Sequence, residues 1–296
     1  MARSPRSLYL FIYVAFGIAC ICHATSLRNV SAVLKPRSIS AIPDFRWPNG
    51  EVIYCFEKTK GDALEKLFNA GWAIWERKAG FFIKRRKLAS CDEERHIRGA
   101  VLHVLETNTS PSCTVGMRQK CQLKFNPNFK GASKDLPVTM AHELGHAFGL
   151  FHEHQKPGAG KHIRFNCENL SDYDKIKKKE PQQIGELCSE RARGENAGFS
   201  ASHLLPLVDM DARWYKLDDP GDDNSPDYID WKSIMIYGSK FGGKKVVTGF
   251  KWARQPVMTR SDGSLIEANT EPSDRDIRQL QWLYNAPIEK ELEPII

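Results

Sequence analysis

Eleven consecutive residues, HELGHAFGLFH from His142 to His152, bring together three imidazoles, one carboxylate and two glycines. On an α-helix four residues advance the chain by about 400°, so His142 and His146 share one face with Cβ atoms about 5–6 Å apart. Two nitrogens at that spacing suit one metal ion. On a continuing helix His152 would point about 240° away from His146. The helix must therefore end between them, and Gly149 is where it can, because glycine enters the left-handed conformation without a Cβ penalty. A turn there swings His152 back as a third nitrogen ligand. Glu143 lies about 100° round from His142, beside the open coordination position, where a carboxylate can take the proton of a water. Three protein ligands with one open position describe catalytic zinc, since structural zinc is closed by four. One Zn2+ per chain is the expectation.

The pattern is specific. With 9 His, 36 Asp plus Glu and 21 Gly in 296 residues, the full spacing arises by chance in on the order of a few chains in a hundred thousand, against about one or two in a hundred for HExxH alone. The rival reading, a buried helix whose histidines only satisfy core hydrogen bonds, is set aside on that ground.

The elements that must position these groups can be read on both sides. DLPVTM leads into the histidine helix, with Asp135 or Ser133 able to cap it and Pro137 suited to its first turn. Upstream, EVIYCFE alternates as a strand, and ALEKLFNAGWAIWERKAG places Leu64, Leu67, Phe68, Trp72 and Trp75 at helical spacing behind Asp62, a candidate cap. That stripe is a core-packing face rather than a cofactor box. Strands are expected at GFFIKRR, GAVLHVLE and QLKF, with His103 a packed or hydrogen-bonded strand residue rather than a ligand. Beyond His152 the pattern turns irregular through Pro157 and the acidic run DDPGDDNSPD, which reads as loop. Order returns in SDRDIRQLQWLY, where Ser273 and Asp276 make a capping-box-like start and Ile277, Leu280 and Tyr284 form a stripe. A strand-rich half and a loop-rich half on either side of the metal helix can leave a cleft between two lobes. Residues 46–290 fit one catalytic domain.

The opening residues read as a secretory signal, with Arg3 and Arg6 before an apolar run from Leu8 to Cys22 and cleavage expected near Ala24. A membrane anchor is the alternative, but the run falls short of the ~20 residues a spanning helix needs. Residues 25–45 then read as a short prosegment or flexible arm. Export leaves six cysteines, hence disulfides with fifteen possible connectivities. The nearness of Cys113 to Cys121 makes them the first pair to expect, followed by Cys167 with Cys188 and Cys55 with Cys91. Asn29, Asn108 and Asn169 head glycosylation sequons. The net charge of +7, with KRRK at 84–87 and KIKKK at 175–179, invites a nucleic-acid role, but no binding motif accompanies it and short basic runs are usually solvated faces. The expected partners are protein or peptide substrates, with no nucleic acid and no stable membrane insertion, for a secreted, extracellular monomer.

A three-histidine zinc signature of this length demands a methionine turn downstream, beneath the metal. SIMIYG, Ser233 to Gly238, meets that demand. With Glu153 directly after His152, Tyr237 two residues after Met235, WPNG at 47–50, CTVGMR at 113–118 and the closing Leu283 and Tyr284, the chain resembles the astacin family of zinc endopeptidases in the metzincin clan. The resemblance implies an α+β, two-lobed catalytic domain. Its N-terminal lobe holds a mixed sheet with helices, the zinc-binding helix among them, and its irregular C-terminal lobe holds the methionine turn and a C-terminal helix. It further implies His142, His146 and His152 as zinc ligands, Glu143 as general base and acid, Met235 as the floor of the site, and Tyr237 as a switchable ligand that hydrogen-bonds the transition state. Glu153 in that family holds the mature N-terminus after prosegment removal.

The chain also departs from the family. His154, Gln155, Lys156, Pro157 and Gly158 stand where an arginine and an acidic run are usual, and Ile236 replaces a common histidine. No cysteine near the C-terminus offers the usual long bridge, and the prosegment carries no recognisable inhibitory aspartate motif. The alternative function is a secreted protein that keeps the zinc fold and cleaves nothing, which the intact Glu143 argues against.

Overall fold

The computed structural model describes residues 46–57, 62–97, 99–118, 120–129, 135–207, 225, 227–248 and 251–285. The signal, the prosegment, Asn29, Ser133 and nearly all of the acidic DDPGDDNSPD run lie outside the described residues.

The N-terminal lobe is a five-stranded sheet in the order β2-β1-β3-β5-β4. Its strands are β1 (Glu51–Phe56), β2 (Lys84–Lys87), β3 (Leu102–Glu106), β4 (Ser112–Cys113) and β5 (Cys121–Phe125). β1 runs parallel to β2 and β3, β3 runs parallel to β5, and only β4 is antiparallel, on the edge. This is the mixed sheet expected, although β2 starts later than the GFFIKRR reading and the short β4 went unread.

Two helices cover the sheet, α1 (Ala63–Glu76) and α2 (Leu136–Phe148). The Leu64, Phe68, Trp72 and Trp75 face of α1 is buried as read, and both tryptophan rings meet Phe148 edge-on at 4.9 and 5.3 Å. The helices approach closely at Gly71, where a Cβ would lie 2.6 Å from Met140 Cγ and 2.9 Å from the Ala141 backbone nitrogen. Asp62 precedes α1 without capping it, because its carboxylate pairs with Lys66 at 2.7 Å instead.

Past α2 the chain is less irregular than expected. The short helices α3 (Tyr173–Lys179), α4 (Ile184–Leu187) and α5 (Arg191–Asn196) join the antiparallel pairings of β6 (Ile163–Phe165) with β9 (Met258–Arg260) and of β7 (Lys245–Thr248) with β8 (Lys251–Arg254). They enclose a second core of Leu170, Phe199, Val257, Met258 and Ile266. Helices of four to seven residues carry too little apolar periodicity to be distinguished from loop. The chain closes with α6 (Asp274–Asn285), whose Ile277 and Leu280 return to the first core. No helix among the described residues is long and apolar enough to cross a membrane.

Cys55–Cys91 and Cys167–Cys188 are disulfides. The Cys113–Cys121 pairing is not formed, and both are free thiols. Register is the reason: β4 sets Cys113 opposite Leu123, two residues along β5 from Cys121, while the Cys121 sulfur takes the Arg118 amide at 2.9 Å. Of the described sequons, Asn108 is exposed, whereas the Asn169 amide donates to Pro256 O at 2.7 Å.

Candidate active site

The histidine helix α2 begins at Asp135, whose carboxylate accepts from Val138 N at 3.2 Å, with a proline in the first turn. Its end is fully satisfied. Gly149, at φ +114°, donates to Gly145 O and His146 O, and Leu150 N reaches Gly145 O at 2.9 Å. Gly116 N adds to His146 O at 2.8 Å, the Trp47 indole takes Ala147 O at 2.7 Å, and the Tyr284 hydroxyl takes Phe148 O at 3.1 Å. All four terminal carbonyls of the helix thus have donors, which a buried helix end requires. WPNG, the segment after Cys113 and the closing LY meet at this one place.

The Gly149 turn does what the spacing demanded. It brings Leu150 O back to accept from His146 Nδ1 at 2.8 Å and sends His152 under the helix. The three rings gather with centroids 4.5–5.1 Å apart. Each Nδ1 faces an oxygen that can only accept: Ile234 O at 2.8 Å for His142, Leu150 O at 2.8 Å for His146, and Gln155 Oε1 at 2.9 Å for His152. The Gln155 amide is oriented by its own donation to His203 O at 2.9 Å. Each Nδ1 therefore carries the proton, and each Nε2 presents a bare lone pair. Yet His152 Nε2 lies 3.1 Å from His142 Nε2 and 3.0 Å from His146 Nε2. Three lone pairs converging so closely repel unless a cation lies among them.

A tetrahedral zinc at about 2.0–2.1 Å from each nitrogen would set them about 3.3 Å apart, so the donor set fits that ion. Burial holds the rings neutral, as ligation needs, with His142 pushed down to about 4, His146 to about 3, and His152 held well below the usual imidazole range by burial and the neighbouring imidazoles. Among the described residues the other candidate cluster is Cys55, Cys91 and His103. There the sulfurs are spent in a disulfide, and His103 bridges Glu57 and Glu94 at 2.7 and 2.9 Å as a hydrogen-bonded strand histidine.

Met235 packs against the histidine helix at Gly145. A Cβ on Gly145 would lie 2.4 Å from its sulfur, so this glycine of HELGH makes room for the methionine. The turn is clamped from a distance by buried Asp276, which accepts from Ser233 Oγ at 2.6 Å and Ile234 N at 3.0 Å. Ile234 then passes its carbonyl to His142. Asp276 was read only as a helix cap, and it performs that role too, accepting from Ser273 N at 2.8 Å.

Glu143 is buried, and burial raises its carboxyl to about 8. Its charge is felt at Cys113 and at Tyr237, whose phenol is held far above its ordinary range by burial and by that carboxylate. The Tyr237 ring packs on His152 at 4.4 Å and His154 at 4.6 Å, and Phe241 stacks on it at 3.9 Å. Glu153 is buried beside the third histidine, with its carboxylate on Lys156 and on Asp230 N. Gln155, Lys156 and Phe241 carried no chemical signal in the sequence beyond two of them being departures from the family pattern.

Comparison with known proteins agrees with this architecture. Residues 40–190, just over half of the chain, match the model of the astacin peptidase family. Nematocyst expressed protein 6 of Nematostella vectensis is 23% identical over 255 residues, covering 85% of this chain and 70% of that protein. Astacin-like metalloprotease toxin 1 of Loxosceles intermedia is 22% identical over 153 residues, covering 47% of this chain and 50% of that protein. Among solved structures, high choriolytic enzyme 1, a hatching enzyme zinc-protease from Oryzias latipes, aligns with a TM-score of 0.50 at 17% identity over 82% of this chain and 94% of its own, a likeness of fold. The chain belongs to the astacin family, and it is a zinc metalloendopeptidase.

Proposed function

We propose that this chain is a secreted endopeptidase that cleaves extracellular proteins, with its one zinc on His142, His146 and His152. The observation that carries the proposal is the convergence of three unprotonated Nε2 atoms, with that of His152 within 3.1 Å of both others. Bound there, zinc supplies a Lewis acid that polarises a scissile carbonyl and makes a water acidic near neutral pH. The remaining work falls to the chain. Glu143, one residue from the first ligand and favoured in its ionised form when the adjacent cation is bound, accepts the proton of the attacking water and returns it to the leaving amine. The Tyr237 phenol keeps its proton at every working pH, so it serves as a hydrogen-bond donor to the oxyanion of the tetrahedral intermediate. Phe241 stacks on one face of that phenol ring at 3.9 Å.

Two disulfides support an oxidising, extracellular compartment. Removal of residues 1–24 as a signal and of most of 25–45 as a prosegment completes the reading.

The test pairs metal content with turnover. The purified mature protein should hold about one zinc, which His142→Ala, His146→Ala or His152→Ala should release. Glu143→Gln should keep the metal and the fold while losing nearly all peptide hydrolysis, because an amide cannot take the water's proton. Near-parental turnover in Glu143→Gln would assign the base elsewhere.

A further inference from the structure

The loop after His152 contains a buried ion pair that the reaction does not use. Glu153 and Lys156 are each 2% exposed, and the Lys156 ammonium donates to Glu153 Oε1. The same oxygen accepts from Asp230 N at 2.7 Å, the ammonium also donates to Tyr228 O at 3.2 Å, and Glu153 N donates to Met235 O at 3.1 Å. The Tyr228 hydroxyl closes the arrangement by donating to Pro157 O. The segment that carries His152 is thereby bound to the segment that carries the methionine turn.

An ionised carboxylate removed from water needs a cation close by, since removing one partner of a buried pair leaves an uncompensated charge. Here that cation is built into the loop, three residues beyond the carboxylate it neutralises. We infer that Lys156 is the positioning cation of this centre: its ammonium, rather than the α-ammonium of a trimmed chain, neutralises Glu153, so His152 is aimed independently of where N-terminal processing stops.

This inference rests on His152 being a metal ligand, and its test separates the two. The mature protein is sequenced from its N-terminus, and a second full chain carries a short Gly-Ser insertion just after the processing point, so that it matures with a longer N-terminus. Cobalt(II) replaces zinc as the probe, and its visible spectrum and affinity are read beside kcat and KM. The lengthened protein should match the parent spectrum, with affinity within about twofold. Lys156→Met should lower cobalt affinity about 10–100-fold, the usual cost of losing a group that orients a ligand. Its kcat should fall more than its KM, and Lys156→Arg should recover most of the loss. Where Lys156→Met does not fold, the neutral pair Glu153→Gln with Lys156→Met should restore cobalt binding, because no charge is then left unpaired. A lengthened N-terminus that costs tenfold or more in cobalt affinity would overturn the inference, as would Lys156→Met binding cobalt within twofold of the parent. His152→Ala in the same assay reports on the ligand assignment itself, which fails only if that variant keeps the parent spectrum.

Discussion

Gly149→Ala isolates the feature on which the geometry of the third ligand depends. Gly149 sits at φ +114°, where an L-residue is strained whatever space surrounds it, and a Cβ there would lie 2.7 Å from Leu283 Cδ2. The backbone cost is about 1–2 kcal/mol. Leu283 is only 3% exposed, so it can yield only by repacking, which adds about 1–3 kcal/mol. The sum is roughly 2–5 kcal/mol, or on the order of 10 °C in Tm for a chain of this size. Urea unfolding of the metal-free protein should show that loss. Leu283→Ala introduced beside it should recover only the steric share, giving a coupling of about 1–3 kcal/mol and leaving the backbone share behind. Because the same turn places His152, the extra stability conferred by saturating zinc should shrink as well. A Gly149→Ala protein within about 0.5 kcal/mol of the parent would refute the argument, since neither strain nor clash could then be present.

Three further outcomes are expected. Tyr237→Phe keeps the ring contacts and removes one oxyanion donor, so kcat should fall about 10²–10³-fold with zinc content and Tm unchanged; a loss under threefold would remove the phenol from the mechanism. Gly145→Ala forces a Cβ to within 2.4 Å of Met235 Sδ and 3.1 Å of Trp75 Cζ2, and the Trp75 ring is held by its 2.8 Å bond to Ala141 O, so the buried Met235 side chain must move, at about 1–3 kcal/mol. Unchanged stability in urea would mean that Met235 has another place to go. His103 is pulled down by burial but raised overall by Glu57 and Glu94. Its folded value lies above the unfolded one, so its contribution is complete below the unfolded value of about 6.5 and is lost as pH rises through the folded value. Both carboxylates are over two-fifths exposed, which limits the effect to about 0.5–1 kcal/mol. His103→Gln should flatten stability against pH above about 6.5, and an unaltered slope there would show that another group titrates.

What the sequence determined by itself is local. Two histidines at i and i+4 share a helix face, Gly149 ends that helix, Asp135 or Ser133 can cap it, and Ser273 with Asp276 starts the last helix, because each depends on backbone geometry over a few residues. The methionine turn was legible only because the signature demanded one. Tertiary structure decided the rest. Nothing in local periodicity says that Gln155 fixes the His152 tautomer, or that Asp276 reaches back to Ile234 N at a separation of 42 residues. The burial of Lys156 against Glu153 is of the same kind. The free thiols show the limit most plainly: nearness in sequence suggested that Cys113 and Cys121 pair, but bonding depends on strand register, which is set by the packing of the whole β4–β5 edge. Spacing along the chain named the groups that could meet a metal, and only the packed structure determined which oxygens hold them in place, because those partners come from distant segments brought together by burial.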